Sequence, residues 1–304
     1  MQFNPTESAL DFFIQDLFNR YKASVPAVEK ITRAMIEQGI VGSQQEILND
    51  HIAFRTLGLP NLGIASFEKI FLRHGFKKRD YYSFEEKKLN AWWYAPPSDN
   101  YPRIFISELR VNELSPEAVA IIRKYTAGIT EDPVDQIDLN DGEAVTEYLH
   151  RPLWSMPELE EYNRLMEESE YAAWVILNRY YLNHYTISVH NLGNGYNSLP
   201  RFNAFVESLG IKLNDAGGKI KTSADGLLCQ SSTVAEWNEI EFPGGNKLSV
   251  AGSYVEFAER KVLPEFSHLP LSSVGPQHRR EGFEAGNADK IFESTYSDQA
   301  VEKK

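Results

Sequence analysis

Cysteine is nearly absent: Cys229 is the single one in 304 residues. No internal disulfide can form, and a cysteine-rich zinc or iron–sulfur site is excluded. Any metal here must be held by imidazole and carboxylate. Long apolar runs are missing too, since none approaches the ~18 residues a spanning helix needs. Basic charge is in deficit, with 31 Lys and Arg against 43 Asp and Glu, a net charge of −12. A chain this acidic does not attract phosphate backbones, which argues against nucleic acid as a partner. The opening residues, MQFNPTESALDFF, show no basic cluster ahead of an apolar stretch. The expectation is a cytoplasmic protein in a reducing compartment, off the membrane. A glycine-rich phosphate loop, a nucleophile elbow and a dinucleotide fingerprint are also lacking.

What is present is an ordinary globular composition, 42% hydrophobic and 12% aromatic, so a disordered or collagen-like chain is ruled out. Leu10, Phe13, Leu17 and Phe18 fall on one helical face, and a second helix is expected from Val25 to Gln38, ended by Gly39. The alternating stretch His51–Thr56 then reads as a strand, Ile64–His74 as an amphipathic helix closed by Gly75, and Lys77–Phe84, Lys88–Tyr94 and Arg103–Leu109 as strands. Ser115-Pro116-Glu117 starts a helix, with Ser as N-cap and Pro at the first position, and a long helix is expected over Pro157–Tyr181. The strand–helix–strands order then recurs. His184–His190 alternates, Leu199–Leu209 is helical, and strands follow near Ile211–Leu213, Leu227–Thr233, Thr233–Phe242 and Lys247–Ala258. The fold class is therefore α+β, built on two βαβββ modules, 51–110 and 184–260, that form a curved mixed sheet. Helices at 1–45, a helical insert at 113–182 and an extension at 261–304 complete one catalytic domain.

Alternation puts His51, Ala53 and Arg55 on one strand face and His184, Thr186, Ser188 and His190 on one face of the repeat's opening strand. Burying these polar faces unpaired would cost roughly 1–3 kcal/mol each, so they must meet water or a polar cavity. Two strands that each open on His can converge inside a curved sheet. Glu256, in the apolar stretch Tyr254–Ala258, is the candidate third arm. Two imidazoles and a carboxylate with open positions suit Fe(II), Mn(II) or Zn(II), the arrangement of non-haem iron oxygenases. Taken singly, a strand histidine is more often a hydrogen-bonded core residue; the repeat is what raises the metal reading. Arg55 is either a carboxylate clamp within a cavity or a rim ion pair. Glu108 ends the last strand of the first module and reads as the counterpart of Glu256, either a fourth ligand or a satisfied polar residue. His190 shares the His184 face and reads as its hydrogen-bonding support.

The stretches Asp50–Arg55, Asn183–Thr186, Gln230–Thr233, Tyr254–Arg260 and Gly286–Thr295 resemble the 2-oxoadipate dioxygenase/decarboxylase family, within the vicinal-oxygen-chelate group that also holds glyoxalase I. That resemblance implies metal ligands at His51, His184 and Glu256, a substrate clamp at Arg55, and pocket contacts from Gln230 and Ser232. It implies Fe(II), with Mn, Zn or Ni as possible occupants, a 2-oxo diacid and O2 as co-substrates, and 2-hydroxyglutarate and CO2 as products. Two rivals share the scaffold: a glyoxalase-type lyase or isomerase, with Glu108 as fourth ligand, and a protein that binds a small acid without turnover.

Overall fold

The computed structural model describes residues 8–300. Helices α1 (Ala9–Ser24) and α2 (Pro26–Glu37) open the chain. Ser8 caps α1 by accepting from the Asp11 amide, and Pro26 occupies the first position of α2. The apolar face of α1, including Phe13, Ile14, Leu17 and Phe18, is buried. Each such side chain contributes roughly 1.5–3 kcal/mol on leaving water.

The first module runs β1 (Asn49–Leu57), α3 (Ile64–Arg73), β2 (Lys77–Phe84), β3 (Leu89–Ala95) and β4 (Arg103–Leu109). A helical layer follows: α4 (Pro116–Thr126), α5 (Gly142–His150), α6 (Leu159–Glu168) and α7 (Glu170–Asn178). The second module contains β5 (His184–Ser188), α8 (Leu199–Ser208), β6 (Lys221–Thr222), β7 (Leu228–Ser232), the hairpin β8 (Trp237–Glu241) and β9 (Lys247–Ala251), and β10 (Tyr254–Arg260). Helices α9 (Ala285–Phe292) and α10 (Ser297–Ala300) end the described chain.

The main sheet has the strand order β2-β3-β4-β1-β5-β10-β7-β6. Each module repeats one pattern: its opening strand pairs in parallel with its closing strand, β1 with β4 and β5 with β10. The two opening strands pair antiparallel at the centre. The repeat read from the sequence is therefore a repeat of strand order.

Several expectations change in detail. The helix expected over Pro157–Tyr181 is two helices, because Ser169 turns extended and caps α7 by accepting from the Ala172 amide. Ile211–Leu213 forms only a single bridge, Leu213 to Thr233. The stretch Lys247–Ala258 is broken at Gly252-Ser253. A Cβ on Gly252 would lie 2.5 Å from Asn238 Nδ2, and its carbonyl accepts from Trp174 Nε1. That break sends β9 into the separate hairpin and leaves β10 free to enter the main sheet.

Candidate metal centre

The sheet register organises the site in rungs. On the first rung Glu256 is level with Thr186, whose hydroxyl lies 3.1 Å from His51 Nε2. On the next, Ala53, His184 and Tyr254 lie side by side, with Phe105 beyond Ala53. Arg55 and its neighbour Ser107 form the third. Residues two apart on a strand share a face and are separated by roughly 6.7 Å. His51, His184 and Glu256 thus meet at one end of a cavity and Arg55 stands farther along it.

His51, His184 and Glu256 each offer a ligand atom within 4.8 Å of the others, and all three are buried. Glu256 Oε2 lies 3.1 Å from His184 Nε2 and 3.5 Å from His51 Nε2. Among the described residues Glu256 is the polar group His184 Nε2 faces, and the two do not make a hydrogen bond of normal geometry. Each ring is oriented from behind: His51 Nδ1 reaches Asp50 Oδ2 at 2.9 Å, and His184 Nδ1 reaches Asn183 Oδ1 at 2.9 Å. Those acceptors place the proton on Nδ1 and leave the Nε2 lone pair aimed at the shared point. Glu256 Oε1 accepts from Gln230 Nε2 at 2.7 Å, and Gln230 Oε1 accepts from Asn287 Nδ2 at 3.1 Å. Burial would raise the Glu256 carboxyl, but the two imidazoles hold it below the ordinary carboxylate range. Burial alone would depress His51, yet Glu256 and Asp50 raise it. His184 is lowered, with burial outweighing Glu256. The donor set of two imidazoles and a carboxylate, with ligand atoms within 4.8 Å of one another, fits a divalent metal.

A cavity extends beyond these three residues. Its lining includes Ala53, Arg55, Phe105, Ser107, Gln230 and Tyr254 from the sheet, with Phe283, Ala288, Ile291 and Phe292 from the C-terminal segment. Arg55 is 1% exposed. Its guanidinium lies 5.1 Å from the Tyr171 and Trp174 rings and 5.6 Å from Phe292. It donates to Thr295 Oγ1 at 2.9 Å and to the Phe292 carbonyl at 3.1 Å, while Nε has no partner. Among the described residues no carboxylate forms an ion pair with it. An unpaired buried charge is costly, so this cation is poised for an anion from outside.

Glu108 does not correspond to Glu256. Aligning His51 with His184 through the parallel pairings makes Phe105 the counterpart, since Phe105 pairs with Ala53 as Glu256 pairs with Thr186. Glu108 lies three residues farther on, accepting from the Ile64 amide at 2.9 Å and from Asn90 at 3.3 Å. It caps α3 in place of Gly63, where a Cβ would come within 2.5 Å of its Oε2. His190 also departs from expectation. β5 ends at Ser188, and His190 sits in a turn, accepting from the Arg260 amide at 3.1 Å. The support for His184 comes from Asn183. Ser232 is level with Glu256 but does not line the cavity; its hydroxyl lies 2.8 Å from that of Ser294.

The profile of the 2-oxoadipate dioxygenase/decarboxylase family matches residues 13–268. The chain belongs to this family. It is 43% identical over 266 residues, 84% of this chain and 70% of the relative, to the chloroplastic 2-oxoadipate dioxygenase/decarboxylase of Arabidopsis thaliana. It is 46% identical over 269 residues, 84% of this chain and 71% of the relative, to the chloroplastic/amyloplastic counterpart of Oryza sativa subsp. japonica. A crystal structure of the Oryza sativa hydroxyglutarate synthase in complex with 2-oxoadipate superposes with a TM-score of 0.86 at 41% identity, covering 96% of this chain and 93% of that one. The fold is shared with a putative glyoxalase superfamily protein of Ralstonia eutropha JMP134, with a TM-score of 0.71 at 20% identity over 92% of this chain and 88% of that one.

Sequence reasoning missed Asp50, Asn183 and the C-terminal wall. Asp50 carries more than its hydrogen bond to His51. Arg260 Nε and NH2 reach its two oxygens at 2.6 and 2.9 Å, and both residues are buried. Burial would raise the Asp50 carboxyl, but Arg260 and Arg103 hold it well below the ordinary range. A carboxyl lowered on folding stabilises the fold above its unfolded value, ~3.9, and that contribution fades as pH falls through the folded one. Arg260→Met leaves Asp50 without its bidentate partner and is expected to lower stability by about 3–5 kcal/mol at neutral pH. Urea unfolding should show the gap between variant and wild type narrowing as pH falls below about 4, because the unfolded chain protonates Asp50 there while the folded wild type still holds it ionised. A gap that did not depend on pH would show that the charge pair is not its source.

Proposed function

We propose that this protein is an Fe(II)-dependent dioxygenase/decarboxylase that converts 2-oxoadipate and O2 to 2-hydroxyglutarate and CO2. The observation that carries the reading is the His51, His184 and Glu256 group at one end of a cavity whose lining also holds a buried arginine with no ion-pair partner among the described residues. A 2-oxo diacid matches both. When bound, the metal supplies Lewis acidity, electrons for O2 and a template for the 2-oxo acid group.

The chain's own residues supply the rest. His51, His184 and Glu256 would hold the metal as three protein ligands, a number that leaves room for substrate and O2. Asp50, Asn183 and Gln230 hold those ligands in orientation. Arg55 would hold the far carboxylate, fixing which carbon lies nearest the metal. Phe283, Ile291 and Phe292 keep water from the reacting atoms. Ser232 acts through Ser294 on the wall and not on the substrate. A glyoxalase-type reading needs a fourth protein ligand, and Phe105 occupies the place a repeat-related ligand would take. A single buried cysteine suits the reducing cytoplasm as the setting. Among the described residues no helix is long and apolar enough to cross a membrane.

The test is an oxygen electrode trace with trapped CO2 on adding 2-oxoadipate to the Fe(II)-loaded protein. One O2 consumed and one CO2 released per substrate is expected, with the Zn(II)-loaded protein inert. Turnover without oxygen uptake would assign the site to lyase or isomerase chemistry instead.

A further inference from the structure

Tyr254 stands beside His184 on the rung between those of Glu256 and Arg55, and the roles above give it nothing to do. Alternation along β10 turns it to the same face as Glu256, into the cavity. Its ring stacks on the His184 imidazole, with centroids 4.7 Å apart and planes at 30°. Its hydroxyl is buried and, among the described residues, makes no hydrogen bond of normal geometry, the polar side chains facing it being Arg55 and Ser294. Buried hydroxyls are seldom left so, because desolvation is uncompensated. Arg55 Nε, in the same cavity, is likewise unpartnered.

We infer that Tyr254 is a substrate-positioning residue: its hydroxyl and Arg55 Nε together donate to the carboxylate of the diacid remote from the metal. The inference rests on the proposed reading of the site and deepens it by assigning the diacid selectivity to two donors. Arg55 commits one N–H of each terminal nitrogen to Thr295 and the Phe292 carbonyl, so its free Nε edge is the one presented. A carboxylate has lone pairs for both a guanidinium edge and a phenol. With substrate bound, both orphaned donors find their acceptor. The C-terminal wall, the Arg55 fork and the ring over His184 then act on one ligand.

The decisive comparison is Tyr254→Phe against wild type, with 2-oxoadipate and with 2-oxohexanoate, which has the same chain length and no remote carboxylate. Binding is measured anaerobically by calorimetry on the Fe(II)-loaded proteins, with metal content and melting temperature alongside. The variant is expected to bind 2-oxoadipate roughly tenfold to a hundredfold more weakly, the range for a hydrogen bond to a charged group. Its binding of 2-oxohexanoate and its iron content should be unchanged. Its melting temperature should equal or exceed that of wild type, since the hydroxyl it loses is unsatisfied in the free protein. Equal weakening toward both acids, or loss of iron, would overturn the role and mark Tyr254 as a support for the His184 ring. Unchanged binding of 2-oxoadipate would overturn it as well and leave the proposed reaction standing. A wild-type protein that binds neither acid would remove both.

Discussion

Glu256→Gln is expected to empty the metal centre while leaving the fold in place. The amide keeps the volume of the carboxylate and can still accept from Gln230, so packing around β10 need not change. What is lost is the negative charge lying 3.1 and 3.5 Å from the two imidazole Nε2 atoms. A divalent ion would then be held by two neutral rings, with no anion to offset its desolvation in a buried site. Even outer partners of metal ligands cost 10–100-fold in affinity when removed, so losing a ligand charge should exceed roughly a hundredfold. Metal content after gel filtration, read by plasma emission, should fall to near background, and oxygen uptake with 2-oxoadipate should fall with it. Circular dichroism should be unchanged. A variant retaining one metal per chain and full turnover would remove the three-ligand site from this account.

Arg55→Met should have the second largest effect, and of a different kind. Methionine replaces the apolar stem among Tyr171, Trp174 and Phe292 but ends the guanidinium's contacts to Thr295 and the Phe292 carbonyl. Truncating one member of a buried charged pair costs about 2–5 kcal/mol, a factor of roughly 30 to several thousand. That loss should fall on KM for 2-oxoadipate, with iron content intact and 2-oxo monoacids used no worse than before. Arg55→Lys should rescue little, because a point charge cannot keep the wall contacts and also present an edge to a carboxylate. The C-terminal helix should also loosen, seen as faster amide exchange over 285–295. An equal penalty on mono- and diacids would deny Arg55 its clamp role.

Much of this site was legible before any coordinates. The period-two alternation of His51–Arg55 and His184–Ser188 settled which side chains share a face, and the recurrence of strand, helix, strands said that two His-bearing strands begin equivalent units. Those are local properties of an extended chain, in which successive side chains must oppose each other. The motif at Tyr254–Arg260 likewise stood out, because an acidic residue in an apolar strand needs a partner.

Where the reading failed, the missing information was register. Glu108 and Glu256 look equivalent when strands are compared by their ends, but a parallel pairing aligns residues by hydrogen bonds. By that measure Phe105, not Glu108, answers Glu256. A shift of three residues also reverses the face, which is why Glu108 caps a helix outside the site. His190 failed for a related reason: alternation holds only while the strand continues, and β5 stops at Ser188.

The sequence by itself determined the repeated strand order, the inward faces and the types of candidate ligand, since these follow from periodicity and from the scarcity of cysteine. Only the tertiary structure decided that His51, His184 and Glu256 come together, that Arg55 has no ion-pair partner among the described residues, and that residues between 283 and 292 line the cavity. Those facts depend on contacts between segments up to 240 residues apart, such as Arg55 with Thr295. Long-range packing sets such contacts, and no local pattern encodes the distance between two side chains that the chain brings together only on folding.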